Sequence, residues 1–66
     1  MDKRLNLKAA RVRKDLTQAE LADLVGVSRQ TIVEWEKGHT TPDITTANHI
    51  AEILEEATEL LFPRKP

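Results

Sequence analysis

The sequence predicts an all-α domain of four to five helices, and three observations carry the prediction. Two helix-start residues, Thr17 and Ser28, are each followed by a lone glycine, Gly26 and Gly38, at the distance of a short helix. A later segment places Ile44, Ala47, Ile50, Ala51 and Leu54 at the spacing of one helical face. No alternating run of β-branched residues reaches five, and the aromatics are only Trp35 and Phe62, so nothing reads as a strand.

Taken in order, Leu5 and Leu7 with Ala9, Ala10 and Val12 form the apolar part of a basic helix from about Leu5 to Lys14. Thr17-Gln18-Ala19-Glu20 is a capping box, in which the hydroxyl and the carboxylate each accept the other residue's backbone N–H. Leu16 and Leu21 are the matching hydrophobic staple, so a second helix runs from Gln18 to about Val25, burying Leu21, Ala22 and Val25. Gly26 ends it, since glycine takes the left-handed conformation cheaply. Ser28 caps a third helix, Arg29 to about Lys37, with Val27 and Ile32 as its staple and Gly38 as its end. After the loop His39-Thr40-Thr41-Pro42, Asp43 caps the fourth. Glu55-Glu56-Ala57-Thr58 contains no Gly or Pro, so the fourth helix either continues to Phe62 or breaks before a short fifth helix, Thr58 to Phe62. Pro63 stops whichever forms.

Sixty-six residues make one domain, 1–66, with a modest core. There is no cysteine, which excludes disulfides and thiolate metal sites and leaves capped helices or association as the means of stability. No apolar run is long enough to span a membrane, and Met1-Asp2-Lys3-Arg4 lacks the apolar stretch of a signal peptide, so a cytoplasmic protein is expected. The net charge of −1 is unevenly spread. Residues 1–14 carry Lys3, Arg4, Lys8, Arg11, Arg13 and Lys14 against Asp2, whereas residues 51–62 carry Glu52, Glu55, Glu56 and Glu59 and no base. Taken alone, that asymmetry fits two solvated helix faces better than a nucleic-acid or partner surface.

Residues 17–37 hold two short helices joined at a tight glycine turn. The segment resembles the Cro and phage-repressor (XRE) type of helix-turn-helix DNA-binding domain. The matching residues are Leu16-Thr17-Gln18, Leu21-Ala22, Val25-Gly26-Val27-Ser28, Gln30-Thr31-Ile32, Trp35-Glu36, Gly38 and Pro42, with weaker matches from Leu7 and Arg11 to Leu61-Phe62. The resemblance implies a compact lambda-repressor-like fold that reads the major groove of double-stranded DNA with the third helix. It also implies phosphate contacts from Gln18 and Ser28, and places Lys37, His39 and Thr40 near the backbone. A helix N-terminus suits phosphate without net positive charge, so a slightly acidic chain is compatible with that role. Arg11 and Glu36 match positions that form a structural ion pair in the family. Glu36 shares the apolar face of Ile32 and Trp35, where an unpaired charge would be costly.

The other face of the third helix carries Arg29, Gln30, Val33, Glu34 and Lys37. Base edges fit the first four: Arg to guanine, Gln to adenine, an apolar surface to the thymine methyl, a carboxylate to the cytosine amino group. The same groups would also make an ordinary polar helix face, and the resemblance decides for base reading. The chain departs from the family at Glu55, where Gly or Asn is usual, and at Ala57, where a cap is usual. Ala10, Ala47 and Thr58 lighten the core, and Ile53 and Leu60 add apolar surface where polar residues are common. The resemblance favours the break near Glu55, and the added surface makes 53–66 a candidate dimerisation segment through Ile53, Ala57, Leu60 and Leu61, with Phe62 divided between core and interface. A flanking strand from Met1–Arg4 or Phe62–Lys65 would add to it only within the limits that Pro63 and Pro66 set on pairing, and the alternative is that Leu60 and Leu61 close the core of a single chain.

No metal, cofactor or enzymatic activity is expected. His39 and His49 have no accompanying ligand pattern, and Ser28 has no activating base at helical spacing. The reading is a dimeric, sequence-specific transcriptional regulator, a repressor, on an inverted-repeat operator. The antitoxin half of a toxin–antitoxin pair, and a protein-interaction module that has lost DNA binding, are the alternatives.

Overall fold

The computed structural model describes residues 6–63. Five helices follow one another: α1 (Leu7–Arg13), α2 (Gln18–Val25), α3 (Arg29–Lys37), α4 (Ile44–Leu54) and α5 (Thr58–Leu61). No strand occurs among the described residues. Leu5, expected to open α1, lies outside them, as do residues 1–4 and 64–65 of the two expected flanking strands. The start of α1 is set by Asn6, a cap the sequence reading passed over, whose side chain accepts the Ala9 N–H at 2.8 Å. Thr17 and Glu20 complete the expected capping box, and Ser28 and Asp43 cap α3 and α4.

The first four helices stop in one way. Asp15, Gly26, Gly38 and Glu55 all have positive φ. In each case the next backbone N–H, that of Leu16, Val27, His39 or Glu56, donates to the carbonyl five residues back, at 3.0–3.2 Å. This six-to-one bond satisfies a carbonyl that the helix end would leave open. The break after α4 therefore forms at Glu55, in the left-handed conformation with φ 58°. Ala57 then begins α5 with no side-chain cap, and Thr58 Oγ1 ties α5 to α4 by donating to Asn48 Oδ1 at 2.7 Å.

Leu7, Ala10, Leu21, Ala22, Ile32, Ile50, Ala51, Leu54 and Leu61 form the core, with Leu16, Val25, Val27, Trp35, Ile53 and Phe62 packed around it. Three expectations are corrected. On α1 the inward face is Leu7, Ala10 and Arg11, so Ala9 is exposed and Val12, a further turn of about 100° round the helix, is 54% exposed. Ile44 has the right spacing but sits in the first turn of α4, where it is 59% exposed and lines an open groove of about 650 Å³ with Pro42 and Phe62. Leu61 is 4% exposed, closing the core of its own chain, so it has almost no surface left for a partner.

Candidate DNA-recognition face

The face is built from the turn between α2 and α3. Gly26, with φ 90°, reverses the chain, and a Cβ there would meet nothing within 4 Å, so the backbone angle alone calls for glycine. Val27 packs against the core, and Ser28 Oγ accepts the Thr31 N–H at 3.1 Å while lying 2.9 Å from Thr31 Oγ1. Ile32 is fully buried and Trp35 meets Phe62 edge to face, with ring centroids 6.4 Å apart, so the inner side of α3 is anchored at both ends. The Phe62 contact was not legible because it depends on where the short α5 lands.

Anchoring that side turns the four residues expected to read bases outward. Arg29 and Gln30 are exposed, and Val33 and Glu34 are half-buried. Ser28, Lys37, His39 and Thr40 are exposed near the two ends of α3. Gln18 is different: its Nε2 donates to Glu36 Oε1 at 3.1 Å, so in the free protein its amide serves α3. Gln30 Nε2 donates to Glu34 Oε2 at 2.7 Å, and His39 Nδ1 lies 2.8 Å from Glu34 Oε1. The hydrogen bond with His39, then that from Gln30, holds the Glu34 carboxyl below the ordinary carboxylate range. Sequence reasoning missed this cluster because His39 lies beyond the glycine stop, where helical spacing gives no guide.

Behind the face lies the Arg11–Glu36 pair. Arg11 Nε donates to Glu36 Oε2 at 2.6 Å and Nη1 donates to the Leu16 carbonyl at 2.7 Å. The two side chains are 9% and 6% exposed. Every buried side-chain polar atom among the described residues has a partner. The end of α3 is thus fastened to α1 through a charge pair and to α2 through Gln18.

A helix-turn-helix family model matches residues 7–61, nearly the whole described chain. The chain belongs to the XRE-type helix-turn-helix family. Relatives named as uncharacterized HTH-type transcriptional regulators bear this out. One from Archaeoglobus fulgidus is 41% identical over 89% of this chain and 83% of its own length. One from Methanocaldococcus jannaschii is 43% identical over 85% of each. A third, from Methanothermobacter thermautotrophicus, is 54% identical over 39 residues, which span 59% of this chain but only 56% of that relative. The five all-α elements have the lambda-repressor-like arrangement of this family. No helix among the described residues is long and apolar enough to cross a membrane.

Proposed function

We propose that the protein is a sequence-specific, double-stranded DNA-binding transcriptional regulator, a repressor, acting as a homodimer on an inverted repeat. The observation that carries this reading is the outer face of α3, where exposed Arg29 and Gln30 and half-buried Val33 and Glu34 lie opposite the side that the core fixes. A row of donors, acceptors and one apolar surface on a rigid helix is what major-groove reading requires. The helix starts at Gln18 and Arg29 present first-turn backbone N–H groups, and these suit phosphate. The names of the relatives support the regulatory role.

Dimerisation follows from the small footprint of one recognition helix. Two-fold pairing reads half-sites about 34 Å apart and doubles the contacts. The surface available for it is Ala57 and Leu60, the latter 39% exposed, with Ile53 half-buried beside them. Selection of bound sequences from random duplex DNA at two salt concentrations tests the whole reading. The expected result is an inverted repeat whose affinity falls steeply with salt. On the selected duplex, Gln30→Ala is expected to cost about 1–3 kcal/mol and to relax one base position. An equal loss of affinity on every sequence would remove Gln30 from base reading.

A further inference from the structure

The Glu34 carboxylate is engaged from both sides. Oε2 accepts from Gln30 Nε2, one turn earlier on α3, and Oε1 meets His39 Nδ1, just past the Gly38 stop. The same turn brings His39 there, since its backbone N–H donates to the Glu34 carbonyl at 3.0 Å. An ionised carboxylate only accepts hydrogen bonds, so both partners must present protons to it. The amino end of the Gln30 amide therefore faces Glu34, and Nδ1 of His39 carries a proton.

The orientation matters for base reading. A glutamine that pairs with adenine donates an N–H to N7 and accepts from the N6 amino group. An amide free to flip can present its two ends in either order. Bonded to Glu34, Gln30 keeps one N–H and its carbonyl oxygen for the groove in a single order. Resting on the DNA-reading role above, we infer that Glu34 is a positioning residue: held by His39, it sets the flip of the Gln30 amide and thereby the base that Gln30 accepts. Glu34 then has no base of its own, and His39 acts on α3 rather than on a phosphate. Lys37 is the other charge that bears on Glu34.

Two measurements test this. The first uses the selected duplex and its variants at the one base pair that Gln30→Ala relaxes. Glu34→Gln should reduce the preference at that base pair by about tenfold, because an amide can accept or donate and so supports both flips of Gln30. His39→Ala should also lower the preference, and His39→Asn should restore it, since asparagine Nδ2 lies where imidazole Nδ1 lies. Glu34→Gln that instead relaxes a different base pair, or leaves all preferences intact while the wild type binds selectively, overturns the inference and leaves the DNA-reading role standing. The second needs no DNA. In spectra of the free, nitrogen-15-labelled protein, the Gln30 side-chain amide signals should move in Glu34→Gln and His39→Ala and return toward the wild-type position in His39→Asn. Signals that ignore both substitutions overturn the cluster. A wild-type protein that binds no duplex in a salt-sensitive way overturns the DNA-reading role and this inference together.

Discussion

Removing the Arg11 guanidinium would leave the Glu36 charge with only the neutral Gln18 amide and take the side-chain donor from the Leu16 carbonyl. Because the pair is nearly closed off from water, Arg11→Met should destabilise the protein by about 3–5 kcal/mol, measured by chemical denaturation. Adding Glu36→Leu should recover most of that loss, since two apolar residues leave no buried charge behind. An Arg11→Met midpoint close to wild type would show that water reaches the pair. The apolar face of α3 showed that Glu36 needs a partner, and the family resemblance pointed to Arg11. The Gln18 and His39 bonds were not, because both join side chains whose separation depends on the turns between helices. Backbone strain is the other residue-scale feature. Glu55 holds a left-handed conformation that its side chain does nothing to favour, whereas aspartate tolerates it better at Asp15. Glu55→Gly should therefore raise the thermal midpoint, and by more than Asp15→Gly does, even though it removes the exposed Lys14–Glu55 pair. A fall in midpoint on Glu55→Gly would assign that surface pair a larger role than its exposure suggests.

Helix starts were easier to read than helix stops. Thr17, Ser28 and Asp43 announce themselves because a cap must be one of a few residue types next to an apolar run. The glycine stops were equally visible, but the same six-to-one closure after α1 and α4 uses Asp15 and Glu55, and no local signal distinguishes these from residues within a helix. Three lowered carboxyls, Glu34 among them, contribute to the acid response. The Thr46 backbone N–H holds the Asp43 carboxyl below its ordinary range, and Lys14 does the same for Glu55. A carboxyl lowered in the folded state contributes stability that is complete above its unfolded value and is lost as pH falls through its folded value. Stability should therefore decline below the ordinary carboxylate range. Asp43→Asn should flatten part of that decline while keeping α4 capped, since asparagine caps as well as aspartate. Denaturation midpoints measured across the acid range check it, and an unchanged slope in Asp43→Asn would place the acid response elsewhere.

Across the whole molecule, the uneven charge of the sequence is partly an internal arrangement. Arg13 donates to Glu56 at 2.9 Å and Lys14 to Glu55 at 2.6 Å, so the basic α1 and the acidic junction of α4 and α5 meet. The pairs stay largely exposed to solvent, and only the fold could bring together positions more than forty residues apart. The fold class was nonetheless readable, because α2, α3 and α4 carry their own start signals and the core residues lie on helical faces. The outer surface of α5 was readable only in part: Leu61 and Leu60 are adjacent in sequence, and the landing of a four-residue helix decides which of them turns inward. Leu60→Glu is expected to yield a folded single chain with weakened operator binding. Ile53→Glu is a poorer probe because Ile53 packs against the core. Sedimentation of the wild type as a single chain at micromolar concentration would refute the dimer.

Trp35 is the only tryptophan in the chain, and it sits on the inner side of α3 with its ring against the edge or face of Phe62. Its fluorescence is consequently a one-site optical gauge of whether α5 stays docked behind α3. Loosening α5 wets the indole and shifts its emission to longer wavelength while far-ultraviolet circular dichroism still reports intact helices. Phe62→Ala separates the two signals, and a titration with DNA or with a second copy of the chain can then be followed without any attached dye.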